Sequence, residues 1–253
     1  MDSLLCVQGI CKRYPGFALE SVSFALSPGR IMGLIGKNGA GKSTTLKAML
    51  NMVSPESGSV TMFQKDFYQN EKECKQRIGV VFGGIDFYPL KKLSTITEVT
   101  RKFYENWDEA QYQNYIKLFS LDESKKFKEL SNGLKVKYLL ALALSHHAEL
   151  LILDEPTSGL DPVSREEILH IFQQIVKNSA CSILFSTHIT SDLDRCADDI
   201  TYIQKGRVLQ SADRATFLQS FEHLKTPEDR GALTLEEIML RAERSAWDDD
   251  PAV

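Results

Sequence analysis

A glycine-rich segment gives the most direct indication of chemistry in this sequence. Residues 36–43 read GKNGAGKS and fit the pattern GxxxxGK[ST], whose glycines let the backbone wrap around a polyphosphate. The loop N–H groups, the N-terminus of the following helix and Lys42 would meet the phosphate charge, and the Ser43 hydroxyl can bind Mg²⁺. A chance glycine-rich turn is the alternative, but an apolar strand before the loop and a helix after it are the context that the motif requires. The candidate phosphate-binding residues are Gly36, Asn38, Gly39, Ala40, Gly41, Lys42, Ser43 and Thr44.

Two carboxylates follow an apolar run later in the chain. Residues 150–153 are Leu-Leu-Ile-Leu, and Asp154 and Glu155 come directly after them. Asp154 would hold Mg²⁺ through water, and Glu155 would polarise an attacking water as a general base. An acidic pair after a strand is commonly only a helix cap or a solvated turn. Its presence in one chain with the glycine-rich loop favours the catalytic interpretation.

A serine and a glycine at a predicted helix start form a second candidate anion site. Ser131 and Gly133 belong to LSNG at 130–133, just before the apolar helical run 136–144. Ser131 could be only a helix N-cap. A serine hydroxyl, a glycine backbone and a helix N-terminus together also bind anions. Because one nucleotide does not need two cradles from the same chain, this loop suggests sites composed from two chains.

These residues need strands and helices to position them, and the hydrophobic pattern predicts both. Short apolar or alternating runs predict strands at 4–10, 18–26, 31–35, 59–63, 150–153 and 182–185, and a hairpin at 200–204 and 208–211. Helical spacing predicts helices at 43–52 and 136–144, within a largely helical region from about 94 to 147. Asp108 with Gln111 predicts a capping box, and Asp161-Pro162 predicts a further helix start.

Composition argues against several classes of protein, although a nucleic-acid binder with a local basic patch stays open. The chain has 253 residues with 43% hydrophobic and 25% charged residues, an ordinary globular balance, and a net charge of −4 that argues against a general nucleic-acid binder. The five cysteines lack CxxC spacing, which predicts reduced thiols in or near the core. No apolar run reaches the ~20 residues of a membrane span, and no signal-peptide pattern opens the chain. We therefore expect a cytosolic protein that would need another chain for any membrane spans.

The ordered motifs resemble those of the ATP-binding cassette (ABC) family. Tyr14, GKNGAGKST, LSNG, LLILDEP, SGLD and STH occur in the family's order between residues 3 and 211. The resemblance implies that Tyr14 stacks on adenine, although it could be an ordinary core or surface tyrosine. It also implies that Ser131 and Gly133 contact the γ-phosphate held by the opposite subunit, and that Asp161 ends the D-loop that communicates across the dimer.

A histidine after a strand also has an implied role. The resemblance places His188 at the switch histidine, which touches the γ-phosphate and orients Glu155; a lone histidine in such a place would usually be structural. The catalytic set is then Lys42, Glu155 and His188. The pair His146-His147 has no such support, and we interpret it as the cationic end of the 136–144 helix.

The sequence departs from the family pattern at two places. Asn132 replaces a glycine of the signature, although contact through Ser131 and Gly133 survives this change. Gly83 and Gly84 stand where the family usually has a glutamine that links Mg²⁺ to the membrane partner. Either water fills the missing ligand position, which we favour, or Asp86 swings in as a substitute oxygen ligand.

Together these observations predict an α/β fold: a P-loop NTPase sheet with an antiparallel β subdomain and an inserted α-helical subdomain at about 90–147, as in an ABC nucleotide-binding domain. The domain would span 1–212, and 213–253 would be a short helical extension with an acidic tail. The resemblance implies an ATPase in which two chains sandwich two MgATP.

Its expected partners are a second copy and a separate multispanning membrane subunit on the cytoplasmic face of the cell membrane. Phrases such as FYENWDE resemble exporters of the Ytr and phenol-soluble-modulin (Pmt) type, which suggests export of a peptide that contacts the membrane subunit rather than this chain. The rival is a soluble member of the family that acts on ribosomes, DNA or cofactor assembly.

Overall fold

The computed structural model describes residues 3–82, 88–179 and 181–248. Its strands are β1 (Leu5–Tyr14), β2 (Phe17–Leu26), β3 (Ile31–Ile35), β4 (Ser57–Met62), β5 (Lys65–Asp66), β6 (Ile78–Phe82), β7 (Leu150–Asp154), β8 (Ser182–Thr187), β9 (Asp199–Gln204) and β10 (Arg207–Asp213). Its α-helices are α1 (Lys42–Met49), α2 (Glu71–Gln76), α3 (Leu93–Thr100), α4 (Glu109–Leu118), α5 (Asn132–Leu144), α6 (Pro162–Asn178), α7 (Thr190–Cys196), α8 (Arg214–Ser220) and α9 (Leu235–Asp248).

A largely parallel sheet forms the centre of the fold. Its order is β10-β9-β3-β8-β7-β6, and only β10 runs antiparallel to its neighbour among the described pairs. Every residue of β3, β7 and β8 is buried. Strands that are covered by helices on both faces are continuously apolar rather than alternating, and the sequence shows that pattern. The predicted α/β class and the predicted hairpin, β9 with β10, are confirmed.

A smaller antiparallel sheet, in the order β2-β1-β4-β5, packs beside the first helix. The predicted alternation of β2 is confirmed, since Leu19, Val22, Phe24 and Leu26 are buried. The predicted end of β1 at residue 10 is wrong, because the strand continues to Tyr14. Its register shifts on both sides of Ile10, and these irregularities break the alternation from which the strand end was inferred.

The helices α3, α4 and α5 enclose a separate apolar core in the region predicted to be helical. Of the predicted capping box only the cap is present, since the Asp108 carboxylate accepts a hydrogen bond from the Gln111 N–H at 2.9 Å. The reciprocal bond between these two described residues is absent, because the Asp108 N–H donates to the Ser145 carbonyl and the Gln111 side-chain amide donates to the Tyr115 hydroxyl. The buried Thr97 hydroxyl lies 2.7 Å from the Tyr112 hydroxyl and 2.9 Å from the Tyr138 hydroxyl. This polar cluster joins all three helices, because Thr97 is on α3, Tyr112 on α4 and Tyr138 on α5.

The pair His146-His147 follows α5 instead of ending it. The His146 ring stacks on Tyr104 with centroids 3.6 Å apart, and its Nδ1–H donates to the Gln76 carbonyl. Burial lowers the pKa of His146 to about 4, so it is neutral at pH 7. The prediction of a cationic pair is therefore wrong for His146, since desolvation outweighs any gain from the helix dipole.

The segment after β10 is helical and folds back on the parallel sheet. Asp213 caps α8, and α9 contacts β9 through Tyr202 and Gln204. The proposed boundary at 212/213 stays a prediction. All five cysteines are free and three of them are buried, which agrees with their predicted place in or near the core. Among the helices of the described ranges, none is long and apolar enough to cross a membrane.

We predict that Thr97→Val lowers the free energy of unfolding by about 0.5–1.5 kcal/mol, because the hydroxyls of Tyr112 and Tyr138 lose Thr97 as a partner but still donate to Glu123 and to the Leu93 carbonyl. Urea denaturation followed by circular dichroism measures this change. The matched control is Thr95→Val, on the exposed face of the same helix, which should change the stability by less than about 0.5 kcal/mol. Equal effects of the two substitutions would contradict a stabilising role of the hydroxyl cluster.

Candidate active site

The glycine-rich loop connects β3 to α1, so it lies at the carboxyl end of a central strand and at the N-terminus of a helix. Gly41 has φ 113° and a Cβ there would lie 2.8 Å from Leu19 Cδ2, so a larger residue would be strained and crowded. A Cβ on Gly36 would lie 2.3 Å from the Ile203 carbonyl oxygen. The loop is thus pressed against β9, and its backbone N–H groups and the first turn of α1 form the anion cradle that the motif predicts.

Lys42 is the best-anchored cation of the site. Its side chain is only 5% exposed. Its ammonium donates to the Gly36 carbonyl at 2.7 Å and to the Lys37 carbonyl at 3.3 Å, and it lies 3.1 Å from Glu155 Oε1. A buried ammonium needs such partners, because the desolvation penalty of an unpaired charge is large. Lys42 therefore connects the glycine-rich loop directly to the carboxylate pair.

Ser43 and Asp154 bring two oxygen ligands together. The Ser43 hydroxyl donates to Asp154 Oδ1 at 2.9 Å, and the Ser186 hydroxyl donates to the same oxygen at 2.6 Å. The register of β7 and β8 places Asp154 opposite Ser186. Sequence reasoning missed Ser186, although a serine near the end of a predicted strand, directly before Thr187-His188, was a usable signal.

Glu155 lies between the cation and the histidine. Its backbone has φ 50°, and its N–H donates to the Ser186 hydroxyl at 2.9 Å. One carboxylate oxygen contacts Lys42, and the other lies 2.7 Å from His188 Nδ1. The predicted catalytic residues Lys42, Glu155 and His188 therefore form one continuous chain of contacts, in which His188 remains about one-third exposed at 37%. A non-glycine residue held in the left-handed region is typical of functional sites.

A buried aspartate that sequence reasoning missed supports the contacts between Lys42, Glu155 and His188. Asp192 is fully buried, and its Oδ2 accepts from the Thr157 hydroxyl at 2.5 Å and from the Thr187 hydroxyl at 3.3 Å. Arg165 Nε lies 3.9 Å from Oδ1. Burial raises the pKa of Asp192, while the hydroxyl of Thr157 and the charge of Arg165 counteract it. Asp192 thus connects the segments that carry Glu155 and His188.

The signature loop lies beside the D-loop, which continues directly from Glu155. The Ser158 N–H donates to the Glu155 carbonyl at 3.1 Å, and a Cβ on Gly159 would lie 3.8 Å from Asn132 Nδ2. Ser131 caps α5 by accepting from the Leu134 N–H at 3.3 Å, and Asp161 caps α6. A Cβ on Gly133 would lie 3.4 Å from Ser164 Cβ. Within the described ranges, no hydrogen bond or ion pair joins Ser131 or Gly133 to the glycine-rich loop. One chain therefore brings together Lys42, Ser43, Asp154, Glu155 and His188, but not the signature residues.

Tyr14 lies at the end of β1, 41% exposed, with Lys12 Nζ 5.7 Å from its ring centroid. Its cross-strand partner is Phe17, whose Cζ would lie 2.9 Å from a Cβ on Gly41. The hairpin that carries Tyr14 therefore borders the glycine-rich loop.

The remaining predicted residues of the glycine-rich loop differ in their exposure. Asn38 and Gly39 are exposed, Ala40 is buried, and Thr44 is half-buried in α1. Gly83, Gly84 and Asp86 lie outside the described residues, so the two explanations for the missing glutamine stay predictions.

The arrangement suits transfer of a phosphoryl group to water. A buried ammonium and an N-terminal helix cradle face phosphate charge, two oxygen ligands suit Mg²⁺, and a carboxylate beside an imidazole can accept a proton. Electrostatic stabilisation by preorganised donors is usually the largest catalytic contribution in such reactions.

Comparisons with known proteins point to the same family. The bacitracin transport ATP-binding protein BcrA of Bacillus licheniformis is 31% identical over 89% of this chain and 72% of its own length. The ABC transporter ATP-binding protein YtrB of Bacillus subtilis is 28% identical over 77% of this chain and 66% of its own length. A solved structure of the ATP-binding subunit of an ABC transporter superposes with a TM-score of 0.82 at 25% identity, covering 95% of this chain and all of that one.

The match to a family model extends over the site itself. The model described as ABC transporter matches residues 19–158, more than half of the chain, and includes the glycine-rich loop, the signature loop and the carboxylate pair. The chain therefore belongs to the ABC transporter family, and the domain that carries these residues is an ATPase.

Proposed function

We propose that this chain is the ATP-hydrolysing subunit of a transporter, in which two copies sandwich two MgATP and drive a separate membrane subunit that exports a peptide. The catalytic part of this proposal is supported by the contacts of Glu155 with Lys42 on one side and His188 on the other. The composite sites, the partner and the cargo are supported by further observations.

In the proposed reaction, Glu155 takes a proton from the water that attacks the γ-phosphate in line. His188 orients the carboxylate through Oε2, and Lys42 offsets the charge that develops on the phosphate oxygens. Ser43 and Asp154 would hold Mg²⁺, which neutralises phosphate charge when it is bound. Within the described ranges no cluster of three His, Cys, Asp or Glu residues could hold a metal ion. A metal held by one hydroxyl, one carboxylate and the nucleotide itself fits the habits of Mg²⁺.

We expect two copies of the chain to be needed, because among the described residues no hydrogen bond or ion pair joins the signature residues to the phosphate-binding loop of their own chain. The exposed Ser131 hydroxyl and the N-terminus of α5 form an anion site that a second nucleotide-bearing subunit could use. In a symmetric dimer the phosphate-binding loop of each subunit would meet the signature loop of the other, so two equivalent sites would form. Asp161, which caps α6 next to this loop, would then lie at the subunit boundary.

An apolar groove supports docking of a membrane subunit. It has a volume of about 300 Å³ and lies between the end of β6 and the helices α3 and α5. Its lining residues are Gly79, Val80, Val81, Phe82, Thr100, Tyr104, Leu139, Leu142, Ala143 and His146. Val80 is 40% exposed there, and the nearby Val99 and Phe103 are 45% and 70% exposed. Such a concentration of exposed apolar residues marks an interaction site, and a cytoplasmic helix of a multispanning subunit would fit it.

Transport of a peptide is the finer part of the proposal. The names of the relatives include bacitracin transport, Nod factor export and methionine import, so relatives with export and import functions both occur. The sequence resemblance to exporters of the Ytr and phenol-soluble-modulin type favours a peptide, which would contact the membrane subunit at the cell membrane rather than this chain. The net charge of −4 gives no support to the rival action on nucleic acid.

The general base gives the sharpest test of chemistry. Glu155→Gln keeps the shape of the side chain but removes its basicity, so we expect ATP hydrolysis to fall by about 10²–10⁴ while ATP still binds and holds a dimer together. Phosphate release and size-exclusion chromatography with ATP measure the two effects. The control is Glu149→Gln, next to the other end of β7, where the carboxylate pairs with Arg77. Unchanged turnover of the Glu155 variant would remove this residue from the mechanism.

Mixing two inactive variants tests the composite sites. Lys42→Ala disables one phosphate-binding loop and Ser131→Arg disables one signature loop, so each homodimer should be nearly inactive. A heterodimer retains one intact pairing, and random exchange should restore at most about a quarter of wild-type ATPase activity. As a control, Lys42→Ala mixed with the double variant Lys42→Ala/Ser131→Arg leaves no intact site and should restore nothing. Full activity of Ser131→Arg alone would contradict the cross-subunit arrangement.

Co-purification tests the partner and separates the proposal from its rival. Val80→Asp places a charge in the apolar groove, and we expect recovery of a co-expressed multispanning protein to fall at least about tenfold. Leu209→Asp, at a 45% exposed position on β10, is the matched control and should leave recovery unchanged. Association of the wild-type chain with ribosomes instead of a membrane protein would favour the soluble rival.

A further inference from the structure

The C-terminal helix α9 reaches the phosphate-binding loop through one carboxylate. Glu243 is only 8% exposed, and its Oε1 accepts a hydrogen bond from the Tyr202 hydroxyl at 3.0 Å. Its Oε2 lies 3.1 Å from Nζ of Lys37, the second residue of the glycine-rich loop, as an ion pair without hydrogen-bond alignment. The helix lies well beyond residues 19–158, the part of the chain that the family model matches.

The burial of Glu243 makes its partners important for the position of α9. An ionised carboxylate that leaves water costs several kcal/mol unless it is paired and hydrogen-bonded. Burial, followed by the charge of Glu243, raises the pKa of Tyr202, so its hydroxyl stays protonated and can donate. Lys37 supplies the opposite charge. The docked position of α9 therefore depends on where the glycine-rich loop holds Lys37.

Lys37 also organises the loop through its backbone. Its carbonyl oxygen accepts from the Ala40 N–H at 3.1 Å and from the Lys42 ammonium at 3.3 Å. One residue thus contacts α9 with its side chain and the catalytic lysine with its carbonyl group.

Strand β9 gives a second connection between the same two elements. On it, Tyr202 and Gln204 bond to α9, the latter by donating to the Ala242 carbonyl at 3.2 Å. The loop presses on the Ile203 carbonyl at Gly36, and the Ala40 carbonyl accepts from the Gly206 N–H at 2.9 Å. The loop and α9 therefore share β9 as a common support.

We propose that Glu243 is a positioning residue for nucleotide binding: through Lys37 it holds the phosphate-binding loop in place, so that the docked helix α9 and a bound nucleotide stabilise each other. Such coupling is reciprocal, because a helix that favours the binding-competent loop is itself favoured by the nucleotide. The proposal depends on nucleotide binding at the loop, which wild-type binding tests separately.

Two effects of opposite sign follow from removing the charge of Glu243. The Lys37 ammonium would lose the negative charge of Glu243 beside it, attract phosphate more strongly and tighten binding. The loop would lose an anchor and bind more weakly. Because the Lys37 side chain is 47% exposed, solvent and salt screen its charge, and the loss of positioning should dominate.

The experiment is a double-variant cycle on the full chain, with ADP affinity measured by isothermal titration calorimetry. We expect Glu243→Gln to weaken ADP binding about three- to tenfold in the wild-type background, and to have no further effect in a Lys37→Met background. Lys37→Met is a suitable background because the Lys37 side chain is half-exposed, so its substitution should leave the apolar core intact and the chain folded. Glu236→Gln, the same change at an exposed position of α9, is the matched control and should leave affinity unchanged.

Each other outcome overturns the proposal. Unchanged or tighter ADP binding by Glu243→Gln would show that its charge does not position the loop. Equal weakening in both backgrounds would show that the helix acts without Lys37. A second measurement uses amide hydrogen exchange of residues 235–248, which ADP should slow in the wild-type chain but not in Lys37→Met. Failure of the wild-type chain to bind ADP would contradict nucleotide binding itself, which is a separate result.

Discussion

The buried ammonium of Lys42 is the interaction on which the rest of the site depends. A cation with 5% of its side chain exposed must be surrounded by oxygen atoms, and this one has two loop carbonyls and Glu155. Those oxygens come from two segments that are far apart in sequence. The loop must curl tightly enough to present the carbonyl groups of Gly36 and Lys37 to the ammonium. Strand β7 must end where the carboxylate of Glu155, the next residue, can reach Lys42.

The parallel sheet satisfies that requirement through its register. Strands β3, β8 and β7 are neighbours, and their carboxyl ends lie on one edge, where open α/β sheets bind ligands. The pairing of Asp154 with Ser186 fixes the position of the Asp154 carboxylate along the direction of the strands. His188 follows two residues after Ser186. Asp192 then connects Thr157 to Thr187, so the segments after β7 and β8 cannot shift independently. A site assembled from loops thereby obtains the rigidity of the sheet beneath it.

The sequence predicted the parts of this site that depend on local pattern. Continuous apolar runs identified β3, β7 and β8, and the glycine-rich loop and carboxylate pair were found by spacing. What it could not predict depends on side-chain burial between distant elements. In the sequence, Asp192 is one acid in a polar stretch, His146 resembles a surface cation, and Glu243 is one of several glutamates in a helix. Only the fold shows that Asp192 supports the catalytic residues, that His146 is neutral, and that Glu243 reaches the phosphate-binding loop.

In the proposed reaction, the ion pair of Lys42 with Glu155 means that a bound phosphate must share the ammonium with the general base. Each carboxylate oxygen has one partner, Lys42 on one side and His188 on the other. A γ-phosphate that carries more negative charge would compete for Lys42 and release that oxygen, while His188 keeps the other in place. The freed oxygen would then be available to the attacking water, so that Lys42 serves first the carboxylate and then the phosphate.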